Sequence, residues 1–314
     1  MDRHDQALQS EEGGAVRQAG DRDATFGVED RSAERIEAML RNVVAIRGGP
    51  RTIRLAIERA VFAGGGRVRP ALCCAVAQSL NGRSSPSPTL GAACAIELMH
   101  CASLVHDDLP CFDDATIRRG LPSVHAAFGE PLAVLTGDAL IVAAYRALRM
   151  GCVSTPERLG ALMTLLDDAV NESGGIIGGQ AWESERDVDL LTYHDAKTGS
   201  LFRAAAMAGA RSVDADPEPW RALGTAIGRA YQLADDLGDL APGERTLGKP
   251  TGQDERHRRP SAANELGPTE ALRRYRSAVA EAKASIPDVV NADRLVALID
   301  AMAKRLLPRS LEGL

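Results

Sequence analysis

Residues 90–114 read LGAACAIELMHCASLVHDDLPCFDD, and the join between the two halves of this stretch decides the fold. Leu90 to Val105 is an apolar run of helical length, broken only by Glu97 and His100, so it reads as a core helix and falls short of a membrane span. It then runs into the acidic cluster His106-Asp107-Asp108-Leu109-Pro110-Cys111-Phe112-Asp113-Asp114. Pro110 has no amide hydrogen and disturbs the helix there. Helical spacing therefore leaves open whether Asp113 or Asp114 is the partner of Asp107.

Outward from this stretch the apolar spacing stays helical. Ile36, Met39, Leu40, Val43 and Val44 form one stripe, and Ile53, Ile57, Ala60 and Val61 form another. Glycine and proline clusters punctuate the chain at 64–66, 81–88, 129–131, 151–156, 214–219 and 242–260. About ten segments of helical length lie between such breaks. No alternating run of β-branched residues predicts a sheet. The reading is one all-α domain over residues 31–314, preceded by a flexible tail, residues 1–30, with too few apolar side chains to offset the entropy of ordering.

Lysine and arginine number 37 against 43 acidic residues, a net charge of −6, which argues against an electrostatic nucleic-acid partner. The six cysteines sit mostly in apolar helical segments without C-x-x-C spacing, as reduced core thiols do. The first thirty residues lack the apolar core of a signal peptide. The expectation is a cytoplasmic protein with no membrane span, which must carry any greasy substrate in a pocket.

A second acidic cluster, Gln232-Leu233-Ala234-Asp235-Asp236-Leu237-Gly238-Asp239, ends another apolar helix. Asp235 and Asp239 are four residues apart and share a helix face, where like charges repel. A hard divalent cation such as Mg²⁺, bridged to substrate phosphates, relieves that repulsion. One such cluster alone is as readily a solvated helix end; two, each on an apolar helix, are not. Arginines suited to diphosphate oxygens follow the first cluster (Arg118-Arg119-Gly120) and precede it (Arg67-Val68-Arg69-Pro70, after Gly64-Gly65-Gly66), and Lys197 and Lys249 supply point charges. Together these residues suggest a metal–diphosphate site above a hydrocarbon pocket.

The ordered set of motifs resembles the trans-isoprenyl diphosphate synthases, the family of farnesyl and geranylgeranyl diphosphate synthases. The matching pieces are Gly64–Pro70, the D-D-x4-D motif at 107–113 with Arg118-Arg119-Gly120, Gly179-Gln180, Lys197-Thr198-Gly199, Asp235-Asp236-x-x-Asp239 and Gly248-Lys249-Pro250. They cover roughly residues 35–305. Met99–His106 further resembles the geranylgeranyl diphosphate synthases of bacterial carotenoid pathways. The resemblance implies a ring of helices around a central cavity and a homodimer. It assigns Mg²⁺ to Asp107, Asp108 and Asp113 on one wall and to Asp235 and Asp239 on the other. It assigns the allylic diphosphate (dimethylallyl, geranyl or farnesyl) to Arg118, Lys197 and Lys249, and isopentenyl diphosphate to Arg69, His100 and Arg119. Lys197, Thr198 and Gln232 lie where the family stabilises the allylic cation.

The chain departs from the family pattern at Gly66, where many members have lysine: either that contact is missing or Arg67 supplies it. Gln253 stands where a further lysine is common, and Arg258 or Arg259 substitutes for a later one. His125, His194 and His257 read as surface or packing residues. Residues 242–260, rich in Gly, Pro and charge, read as a mobile lid. Ala102, five residues or roughly 7 Å before Asp107, is small, as is Ser103, so the expected product is C20 and not C15. The expected activity is Mg²⁺-dependent condensation of isopentenyl diphosphate with an allylic diphosphate to geranylgeranyl diphosphate. The alternatives are a farnesyl diphosphate synthase, a terpene cyclase, or a non-catalytic partner subunit of another prenyl synthase.

Overall fold

A computed structural model describes residues 31–45, 48–81, 86–185, 189–239, 267–289 and 291–307. The expected tail (1–30), the expected lid (242–260), Lys249, Gln253, His257, Arg258 and Arg259 lie outside the described residues, as does the side chain of Asp239.

The helices are α1 (Ser32–Val44), α2 (Arg51–Phe62), α3 (Val68–Asn81), α4 (Ser87–Asp107), α5 (Val124–Phe128), α6 (Glu130–Gly151), α7 (Leu159–Val170), α8 (Ile176–Ala181), α9 (Leu190–His194), α10 (Ser200–Arg211), α11 (Arg221–Asp239), α12 (Pro268–Ala284) and α13 (Ala292–Leu306). Ten of these run for 12 residues or more, as the breaker spacing predicts. The strands among the described residues are a two-residue pair, β1 (Ile117–Arg118) and β2 (Leu121–Pro122), in antiparallel register. Arg119 and Gly120, which join them, both have positive φ (53° and 79°), the geometry of a two-residue hairpin turn.

The long helices close a circuit. α4 packs along α6, α6 on α7, α7 on α10, α10 on α11, α11 on α12, α12 on α13, and α13 on α3, which returns to α4. α10 also touches α3 and α4 from inside. Its sequence, SLFRAAAMAGAR, explains that position: alanine and glycine let neighbouring helices approach on all sides, and every residue from Ser200 to Ala210 except Arg203 is buried. Phe202, fully enclosed, contributes about 1.5–3 kcal/mol by leaving water. One apolar core runs from Ile36 on α1 to Leu306 on α13.

Among the described residues two helices, α4 and α6, are long and apolar enough to cross a membrane. α4 is instead the central core helix, with 83% of its apolar window buried. Five of the six cysteines are buried and all six are free thiols; Cys111 alone is exposed.

Candidate active site

The apolar face of α4 anchors it in the core and carries Asp107 to its C-terminal end. There Pro110 ends the helical pattern and the chain folds back on itself. The amide of Asp113 donates to the Asp107 carbonyl (2.9 Å), and that of Ala115 to the Asp108 carbonyl (3.1 Å). This fold-back buries Asp113 beside Asp107 and leaves Asp114 exposed at φ 48°. The choice left open by spacing thus falls on Asp113.

A third carboxylate joins them. Oxygens of Asp107, Asp113 and Glu183 all lie within 4.8 Å of one another. Glu183 sits in a single 3₁₀ turn, Trp182–Ser184, after α8, held by Gln180 Nε2 (3.0 Å) and by the Tyr193 hydroxyl (2.7 Å). Sequence reading missed it. Its signal was the Gly179-Gln180 pair, with Glu183 three residues on at helical spacing.

Lys197 comes from a π-helical turn, Asp195–Gly199, between α9 and α10. Wide turns of this kind concentrate at functional sites. Its ammonium contacts Glu183, lies 3.5 Å from Asp107 Oδ1, and stands over the Tyr193 ring. The turn is seated by Gly179, where a Cβ atom would come within 2.3 Å of the Lys197 backbone nitrogen. The next residue, Thr198, donates to Gln232 Oε1 (2.6 Å), and Gln232 Nε2 donates to Asp236 Oδ1 (2.8 Å). Two successive residues thereby join the first acidic cluster to the second. On α11, Asp235 is half-buried and Asp236 buried, with His194 Nε2 4.0 Å from Asp236. His194 is a buried packing residue and not a surface one.

Asp108 turns away from this group. Arg118 on β1 grips it through Nε (2.9 and 3.2 Å to its two oxygens) and through Nη2, and reaches within 3.9 Å of Asp107. Burial pushes the Asp108 carboxyl above its ordinary pKa despite the pull of Arg118. Arg119 points the other way and donates to the carbonyl of Gly64.

A separate cationic group lies further back along α4. Arg69, 6% exposed at the start of α3, lies over the rings of Phe202 (4.3 Å) and Tyr231 (5.3 Å). Burial lowers its pKa, and its Nε has no protein partner. A buried donor without a partner costs about 1–3 kcal/mol until a ligand or water satisfies it. His100, two helical turns before Asp107, is held well below its ordinary pKa by burial and then by Arg69, Arg119, Arg118 and Arg67. Its imidazole is thus set among guanidiniums. Ala102 is buried, and Ser103 is half-buried with its hydroxyl on the His100 carbonyl (2.9 Å).

Arg67 does not join this group. Its Nε meets Glu37 (2.7 Å), its Nη1 meets Glu97 (2.7 Å), and its Nη2 donates to the Val61 carbonyl (2.6 Å). Every nitrogen of that guanidinium is committed to the protein. The described contacts of Arg67 thus run to α1, α4 and the end of α2.

The polyprenyl synthetase family profile matches residues 50–285. The geranylgeranyl diphosphate synthase of Cereibacter sphaeroides is 45% identical over 278 residues, covering 88% of this chain and 96% of its own. The enzyme of the same name from Rhodobacter capsulatus is 43% identical, covering 87% and 96%. Among solved structures, a geranyltransferase of Helicobacter pylori complexed with magnesium and isoprenyl diphosphate superposes with a TM-score of 0.75 at 27% identity, covering 87% of this chain and 96% of that one. With the ring of helices, the acidic motifs and these likenesses in agreement, the chain belongs to the polyprenyl synthetase family.

Proposed function

We propose that the protein is a magnesium-dependent prenyltransferase that joins isopentenyl diphosphate to dimethylallyl, geranyl or farnesyl diphosphate and releases pyrophosphate, with geranylgeranyl diphosphate as product. The observation that carries this reading is the pair of chemically opposite groups along α4. Three clustered carboxylates, Asp107, Asp113 and Glu183, suit an anion bound through a metal, whereas Arg69, His100 and Arg119 suit an anion bound directly. A reaction between two diphosphates needs both.

The donor set fits magnesium: hard carboxylate oxygens, close enough to share an ion and too few to enclose it, leave room for substrate phosphate. Asp107, Asp113 and Glu183 would hold it on one wall, and Asp235 and Asp239 on the other. Bound there, magnesium supplies positive charge to the departing diphosphate.

The chain's own residues do the rest. Lys197 and Arg118, already against Asp107, carry cationic charge to the allylic diphosphate as its C–O bond breaks, and Lys249 is assigned the same role. The oxygens of Thr198 and Gln232, oriented by their mutual hydrogen bond, face the allylic cation. Arg69, His100 and Arg119 hold isopentenyl diphosphate so that its alkene attacks that cation. The resulting tertiary cation loses a proton to the released diphosphate, which restores a double bond. Water is kept out by the apolar surroundings that give α4 its core position.

Support for C20 comes from the small Ala102 and from the names of the two bacterial relatives. We also read the protein as a cytoplasmic homodimer. One face of α6 presents Val134, Leu135 (52% exposed) and Val142 (60% exposed), an apolar strip that a second copy covers. Incubation with isopentenyl and farnesyl diphosphates and Mg²⁺, with product mass as the readout, tests the function. A C20 diphosphate is expected; a C15 limit when dimethylallyl diphosphate is the starter, a cyclic hydrocarbon, or no product overturns the assignment.

A further inference from the structure

The π-helical turn Asp195–Gly199 makes contacts on two sides. Lys197 and Thr198 join the acidic clusters. Asp195, two residues before Lys197, meets instead two arginines from different helices. Its Oδ1 lies 3.5 Å from Nε of Arg229 on α11, and Nη1 of Arg229 lies 4.0 Å from Glu281 on α12. Both Asp195 Oδ1 and Arg229 Nε are shut off from water, and neither has a hydrogen-bond partner among the described residues. Charged atoms out of water need compensation, and here each has the other.

The second arginine is Arg203, the residue of α10 that escapes burial between Ser200 and Ala210. A Cβ at Gly199 would lie 3.1 Å from Arg203 Nη1 and 3.5 Å from Asp195 Oδ1, so both groups stand at the end of the turn. Burial lowers the Arg203 pKa; Asp195 opposes that shift, and Arg221 and Arg229 add to it. Arg221 is occupied by the two carboxylate oxygens of Glu218 (2.9 and 2.8 Å). Asp195 is the acid shared by the other two. Without it, Arg203 and Arg229 would repel each other beside the contact that docks the turn on α11. That contact has no slack: a Cβ at Gly228 would come within 2.6 Å of Gly199 Cα.

We propose that Asp195 is a positioning residue for the prenyl transfer: by neutralising Arg229 and Arg203 together it draws the back of the π-turn onto α10 and α11, and so sets where Lys197 and Thr198 stand. Gly179 seats the turn on α8 by shape, and Asp195 seats it on α11 by charge. The clamp itself is independent of the proposed function; its effect on turnover rests on that function.

Amide hydrogen exchange of the full-length protein, read by mass spectrometry, reports on the turn directly. In Asp195→Asn, which removes the charge and keeps the shape, residues 195–200 should exchange about threefold faster or more. In Arg221→Gln, which removes a neighbouring charge outside the clamp, they should exchange at the native rate. With farnesyl and isopentenyl diphosphates and Mg²⁺, kcat should fall about 10–10²-fold in Asp195→Asn, the scale of a small misplacement of catalytic groups, and less in Arg229→Gln. The KM for isopentenyl diphosphate should change little, because Arg69, His100 and Arg119 lie elsewhere. The double variant should be no slower than Asp195→Asn alone, since both changes break one pair. Arg221→Gln should turn over normally. Native exchange in Asp195→Asn overturns the clamp. Faster exchange with unchanged kcat, or an equal kcat loss in Arg221→Gln, overturns the positioning role. A lowered melting temperature with unchanged kcat per folded enzyme does the same, since a purely structural residue gives that result. Should Asp195→Asn fail to fold, Arg229→Gln, at the more exposed position, reads the same split between exchange, kcat and KM. If the unsubstituted protein makes no prenyl diphosphate, the proposed function fails while the exchange measurement still decides the clamp.

Discussion

The ammonium of Lys197 lies 3.5 Å from Asp107 Oδ1 across 90 residues of sequence, while its neighbour Thr198 is bonded to Gln232 on α11. One π-helical turn thus holds together the two acidic helix ends on which the proposed chemistry depends. Its loss or displacement should be felt in turnover more than in folding.

Removing a carboxylate from the triad tests its role. Asp107→Ala and Glu183→Gln should each lower kcat by roughly 10²–10³-fold, the scale of losing a central electrostatic group. In both variants calorimetry should show weakened Mg²⁺ binding in the presence of a bisphosphonate. Near-normal turnover of Glu183→Gln would remove that residue from the site.

The seat of the π-turn is a separate test. At Gly179 a methyl group would lie 2.3 Å from the Lys197 nitrogen, so the turn must shift to admit it. Gly179→Ala should reduce kcat about 10²-fold, the effect of misplacing catalytic groups by an ångström. The KM for isopentenyl diphosphate, whose assigned residues lie elsewhere, should change little. Steady-state kinetics with both substrates varied would read the split.

His100 gives a pH signature in stability. Its pKa is held well below the ordinary 6.5 by burial and the surrounding arginines, so in mildly acidic solution the unfolded chain takes up a proton that the folded chain refuses. Stability therefore falls as pH drops below about 6.5, by up to about 1.4 kcal/mol per unit from this group. His100→Gln, which cannot be protonated, should show a shallower decline between pH 7 and 5 in urea denaturation. Identical slopes would contradict a lowered His100 pKa.

Product length should respond to Ala102. Ala102→Tyr is expected to shift the main product from C20 to C15 with kcat for the first condensation preserved, as mass spectrometry of extracted products would show. A tyrosine variant that still makes mainly C20 would place the floor of the pocket elsewhere, on α6 for instance.

Much of this protein was legible in its sequence because the signals are local. Apolar periodicity and glycine–proline breaks depend on near neighbours in the chain, and they specify the ten long helices. The two acidic helix ends are likewise contiguous, so Asp107, Asp108, Asp235 and Asp239 stood out without any coordinates. What only the tertiary structure decided depends on contacts between distant segments. The fold-back after Pro110 chose Asp113 over Asp114, because one amide, that of Asp113, reaches the Asp107 carbonyl. Glu183 became part of the acidic group only when α8 packed against the π-turn, whose Lys197 reaches both Glu183 and Asp107, since a lone glutamate in a turn carries no signal of its own. Arg67 had the right charge in the right motif, yet Glu37 and Glu97, each 30 residues away, committed its guanidinium to the core. Sequence names the groups and the helices that carry them; burial and the direction of each side chain, set by packing across the ring, determine which groups meet a ligand and which are spent holding the fold.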